Sequence, residues 1–157
     1  MKSVEFIADY RDDLYVSLYR RWLIVDQLGF NRARTKVLSV QKAAFFDFLL
    51  KNPKDMHDFL VSFKKLNGNS PYADILYSND AEHGASLEVK DFLHSMLVLE
   101  TQGYVEVSSD GLEYLVSPGV NRLVIDTELT ARWMLDISLL KPLVSRSLSV
   151  LQKSSLR

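Results

Sequence analysis

Cysteine is absent from this 157-residue chain. That one omission removes disulfides, thiolate metal sites and cysteine nucleophiles together, and it fits a reducing cytoplasm. The first residues do not show a basic stretch followed by an apolar one, so no signal peptide is expected. Long apolar runs are missing too. The richest, 45–50, is bracketed by Lys42 and Lys51 and falls far short of the roughly 20 residues a membrane span needs. A soluble protein with no membrane partner is expected. There is neither a P-loop sequence nor a GxGxxG run, so no glycine loop is present to cradle nucleotide phosphates on a helix N-terminus, and ATP binding by such a loop is not expected. No serine sits in a GxSxG elbow. His57, His83 and His94 fall in three separate segments without an i,i+4 pair or a neighbouring acid at metal-site spacing. The sequence therefore predicts no catalytic residue, no metal and no cofactor.

What the chain does have is charge arranged in zones behind a net charge of −1. Bases lead from residue 1 to 66, with Arg20, Arg21, Arg32, Arg34, Lys36 and Lys42 prominent. From 67 to 126 only Lys90 and Arg122 oppose a series of acids, and the tail turns basic again at Arg132, Lys141, Arg146, Lys153 and Arg157. Such zoning fits a plain solvated surface, and it also fits a protein held between a negative and a positive partner. Asp9, Asp12 and Asp13 read as acids favouring the positive end of a first helix rather than as acid-base catalysts.

Periodicity divides the chain. Leu14, Leu18, Trp22 and Val25 recur at steps of four, four and three, predicting a helix over 10–28 that Gly29 ends. The segment 30–38 carries Arg32, Arg34 and Lys36 at alternate positions and reads as an exposed basic loop, which Arg20 and Arg21 are expected to join as the candidate nucleic-acid contact. Ser39 caps a second helix that Asn52 ends before Pro53, and Pro53 opens a third running to about residue 66. Residues 67–85, beginning Asn-Gly-Asn-Ser-Pro, read as a linker or loop between an N-terminal helical part, 1–66, and a C-terminal part, 86–157.

The C-terminal part follows the order of a winged helix. Ser86 caps a helix with Val89, Phe92, Leu93, Met96, Leu97 and Leu99 on a wide apolar face, ending at Gly103. Two strands then flank a three-residue connection, Ser109-Asp110-Gly111, with Leu112 assigned to the second strand. The last stripe, Leu129, Trp133, Ile137, Leu140, Val144, Leu148 and Leu151, marks one face of a long helix that Pro142 kinks or divides. The predicted fold is mainly α with a small β-hairpin: a winged-helix-like core with a long C-terminal helical segment. Its charge is wrong for simple duplex reading, because Glu88, Asp91 and Glu100 outnumber Lys90 on the presumed recognition helix and the hairpin adds Glu106, Asp110 and Glu113. Leu129, Trp133, Ile137, Leu140 and Val144 are the candidate anchors for a partner, if that stripe does not pack on its own domain.

The phrase LSVQKAAFFDFLLKNPKDMHDFL, residues 38–60, preceded by YRRWLIVDQLGF, is similar to the small middle component of ABC-three-component anti-phage defence systems, the group that includes Lamassu. The resemblance implies a cytoplasmic, non-catalytic adaptor resembling a winged-helix or kleisin-like protein. Such an adaptor bridges an SMC/Rad50-like ATPase and an effector subunit, often a nuclease; a DNA contact by the complex would fall to the basic loop at Arg32, Arg34 and Lys36. The family has no catalytic motif to carry over. The alternative is a winged-helix transcriptional regulator that binds duplex DNA as a homodimer.

Overall fold

Helix α1, Leu14–Leu28, is the axis of the molecule. A computed structural model describes residues 14–65, 80–124 and 127–155. From Tyr19 to Val25 every residue of α1 is buried, so this helix is covered on all sides rather than along one stripe. It packs against α2 (Val40–Lys51), α4 (Asp80–Thr101), α5 (Glu128–Leu140) and both strands, β1 (Val105–Ser109) and β2 (Tyr114–Pro118). The remaining helices are α3, Pro53–Ser62, and α6, Leu148–Ser155. Among the described residues no helix is long and apolar enough to cross a membrane. Among the described residues the fold is mainly helical with one two-stranded antiparallel sheet, as the sequence predicts.

Local chemistry sets most boundaries. Ser39 caps α2, its hydroxyl accepting from the Lys42 amide at 3.1 Å. Asn52 closes α2 by donating its side-chain amide to the Phe48 carbonyl at 2.8 Å, and Pro53 starts α3 at once. Helix α4 ends in a Schellman turn: Gly103, at φ +77°, donates to Glu100, and the Tyr104 amide reaches back to the Leu99 carbonyl at 3.0 Å. Thr127 and Thr130 cap each other at the start of α5.

Two boundaries differ from expectation. Helix α4 already includes Asp80, so Ser86 lies within a helix and is not its cap; Gly84, expected in the linker 67–85, is carried inside. Asp9, Asp12, Asp13 and most of the expected linker, 66–79, lie outside the described residues. The hairpin connection has four residues, not three. Ser109 and Tyr114 form the last strand pair, and the Asp110 carboxylate accepts the amides of Leu112 (3.0 Å) and Glu113 (2.9 Å). That Asx turn leaves Leu112 outside β2 at the tip, 97% exposed.

The C-terminal stripe packs inward. Pro142 divides it, with a single 3₁₀ turn, Lys141–Leu143, between α5 and α6. Trp133, Ile137, Leu140, Val144 and Leu151 are buried, and Leu129 and Leu148 pack against the same core. Lys42 ties this segment to α2, its ammonium donating to the Val144 carbonyl at 2.6 Å. Burial lowers the Lys42 pKa, against the opposing field of Glu113.

Candidate functional site

The bases divide into a buried set and an exposed set. Arg20 and Arg21, expected on the basic surface, are inside: each donates its Nε to one oxygen of Asp47 on α2, Arg21 at 3.0 Å. Arg21 also reaches α4, with Nη1 on the Ser95 hydroxyl at 2.7 Å and Nη2 on the Asp91 carboxylate at 3.3 Å. The Arg20 guanidinium lies 5.9 Å from the Trp133 ring of α5. Complete burial alone would raise the Asp47 pKa, but the two guanidiniums outweigh it and hold this carboxyl below the usual range. These arginines join four helices and are unavailable to a nucleic acid.

The same contacts change the charge of α4. Asp91 is paired with Arg21 while its carboxylate stays largely in solvent, and the Glu100 carboxylate accepts the Val107 amide at 2.9 Å, fastening α4 to β1. The side chain of Glu88 is outside the described set. From Lys90 onward the exposed residues of α4 are Lys90, Asp91, His94, Leu97, Val98, Glu100 and Thr101, so both acids stay at the surface beside two apolar side chains.

The loop 30–36 is a tight, ordered hairpin. Phe30 and Lys36 form an isolated antiparallel bridge, Asn31 and Thr35 are joined through backbone (3.1 Å) and side chain (2.9 Å), and Arg34 donates its amide to the Asn31 carbonyl at 3.0 Å. These bonds hold Arg34 at φ +63°, a left-handed conformation costing a non-glycine residue about 1 to 3 kcal/mol. In this pose the Arg34 guanidinium covers the Phe30 ring at 4.9 Å. Arg32 and Arg34 are exposed, as predicted. Lys36 is half-buried and points elsewhere, its ammonium 3.4 Å from the Ser108 hydroxyl on β1.

Two clefts open beside this loop. One, about 440 Å³, is lined by Asp26, Arg32, Arg34, Gly119, Arg122 and Lys141 among others. Four cations face one carboxylate there, and that carboxylate is engaged: Asp26 accepts from Arg122 and from Gln27, each at 2.9 Å. The other, about 510 Å³, is mostly apolar, with Leu28, Phe30, Val37, Pro142 and Val144 in its lining and Ser138 at its rim. Both share Phe30, Asn31, Arg32 and Lys141. Gly119 permits the close approach on the basic side, since a Cβ there would stand 2.3 Å from the Gly103 carbonyl oxygen. Arg122 and Lys141 join Arg32 and Arg34 only through tertiary structure.

The expected partner anchors are corrected by burial. Trp133, Ile137, Leu140 and Val144 are each less than 5% exposed and fill the chain's own core, with Leu129 at its edge. The opposite side of α5 is the open one: Ala131, Met134, Leu135 and Ser138, with Leu135 68% exposed, lead toward the apolar cleft. Among the described residues no group of three or more histidine, cysteine or acidic side chains is arranged to hold a metal ion. Compared with known proteins, the chain matches no family model, no curated protein and no solved structure.

Proposed function

We propose that this chain is a non-catalytic adaptor subunit built on a winged-helix-like core, and that its partner is an SMC-like ATPase working with an effector subunit in a bacterial anti-phage complex. The observation that carries the adaptor reading is the double-sided character of α5. Its inner stripe is consumed by the core, while Met134 and Leu135 stay in solvent beside an apolar cleft. The winged-helix reading is supported by strand order: Leu38 and Ser39, just before α2, bond to β2 at Val116 and Leu115, and β2 pairs with β1. A short first strand beside the second strand of a wing is the arrangement that reading needs. The choice of ATPase rests on the resemblance of residues 19–60.

Affinity purification of the tagged protein from its own host, with nuclease treatment, tests this. A stoichiometric SMC-like ATPase is the expected companion, and Leu135→Asp with Met134→Glu should release it while the chain stays folded. Recovery of the chain alone as a homodimer that shifts duplex DNA would replace the adaptor with the regulator. That second reading draws on the basic cleft, and on the intramolecular use of Asp91 and Glu100, which lessens the repulsion expected of α4.

A further inference from the structure

Beyond the adaptor reading, we propose that the paired clefts bind a nucleoside phosphate unit of a single-stranded nucleic acid, with the phosphate among Arg32, Arg34, Arg122 and Lys141 and the base in the apolar cleft beside Phe30. The charge is concentrated where it can act. A formal surplus of three positive charges lines the 440 Å³ cleft, and its one acid, Asp26, is already satisfied by Arg122 and Gln27. Guanidiniums match phosphate oxygens in pairs, and three of the four cations are arginines. The loop is fixed in advance: the Asn31–Thr35 bonds hold Arg34 in its left-handed pose over the Phe30 ring, so these groups need little ordering on binding.

The adjoining cleft supplies what a simple anion site lacks. It is apolar, about 510 Å³, and it meets the basic cleft along Phe30, Asn31, Arg32 and Lys141. Both volumes lie within the range of roughly 300 to 1,000 Å³ typical of small-molecule sites. An aromatic ring capped by arginine, next to phosphate-binding cations, is the chemistry by which proteins hold unpaired bases and their backbone. A duplex keeps its bases stacked and would have nothing to place in the apolar cleft. An acidic peptide would satisfy the cations but would make no use of a stacking surface. Lys36, the third base in the sequence pattern, is turned to Ser108 and is outside this site.

Fluorescence anisotropy of the full chain with a short labelled oligo-dT tests the proposal. Binding should weaken with salt, and Arg32→Glu with Arg34→Glu should cut affinity by about tenfold or more and flatten the salt dependence. Ser138→Trp, at an exposed rim position, should plug the apolar cleft and weaken binding several-fold with the salt slope intact, whereas Lys36→Gln should bind as the parent does. Unchanged circular dichroism melts keep these readouts separate from unfolding. Competition by AMP at comparable affinity would support the same site chemistry with a free nucleotide as its source; weak competition by AMP supports the strand. Absence of binding at low salt, full competition by poly-glutamate, or parent-like affinity in the double variant would overturn the proposal. Because none of these readouts involves the ATPase partner, the site can fail without the adaptor reading, and the reverse.

Discussion

Arg20 of α1 and Asp47 of α2 form an ion pair from which solvent is shut out, with 1% and 0% of their side chains exposed. Arg21 takes the second oxygen of the same carboxylate and carries the connection on to α4. Removing the shared partner leaves the buried Arg20 guanidinium without its carboxylate beside the Trp133 ring, while Arg21 keeps only Ser95 and the solvent-facing Asp91. Asp47→Ala should therefore destabilise the chain by about 3 to 5 kcal/mol, read by urea denaturation. The folded pKa of Asp47 is depressed, so its contribution is present above the unfolded carboxyl pKa and is lost as pH falls through the folded value. The parent should lose stability on that acid limb more steeply than the variant.

Asp136 on α5 has the opposite sign. Burial raises its pKa, with Arg132 and His57 opposing. A carboxyl whose folded pKa is raised costs stability while it is ionised, and that cost disappears as pH falls below its unfolded value. Asp136→Asn should raise the melting temperature at pH 7, with the gain shrinking to nothing in acid. A lower melting temperature at pH 7 would show that Arg132 and His57 depend on the charge.

The two faces of α5 should respond differently to the same chemical insult. Trp133→Asp puts a charge into the core and should cost more than the roughly 3 to 5 kcal/mol of a simple tryptophan truncation, leaving the chain unfolded by circular dichroism. Leu135→Asp, on the solvent side, should melt within a few degrees of the parent. If Leu135→Asp also unfolded the chain, the open face would be part of the core and not a docking surface.

At the hairpin tip, the amides of Glu113 and Leu112 hold the Asp110 carboxyl below its ordinary range, which favours the ionised form as the turn's acceptor. Asp110→Ala should speed hydrogen exchange at Leu112 and Glu113 with little change in melting temperature. In the parent the same two amides should lose protection as pH falls through the Asp110 pKa.

How far the sequence could be read depended on how local each cause was. Ser39, Asn52-Pro53 and Gly103 announce their helix ends because the groups they satisfy lie within five residues. The stripe from Leu129 to Leu151 gives the inner face of the last helices, but periodicity does not reveal whether a face meets its own chain or another. Arg20 and Arg21 read as surface bases from their charge, although Arg21, seven residues after Leu14, lies on the Leu14–Leu18–Trp22–Val25 face and only Arg20 falls off it; their shared partner, Asp47, is on a different helix, and a helix covered on all sides buries both positions. The basic cleft was half visible. Arg32 and Arg34 stood out by spacing, while Arg122 and Lys141 are brought in by the turn after β2 and the division of the C-terminal helix at Pro142.

That assembly from three separate stretches of chain means that the four cations converge only in the native state, so the cleft can act as its own reporter. Anything that occupies it must favour the native state over the denatured one, by about 2.7 kcal/mol at a hundred times its dissociation constant. A ligand search can then be run as a melting experiment on unlabelled protein, with no partner, enzyme assay or prior guess at an activity required.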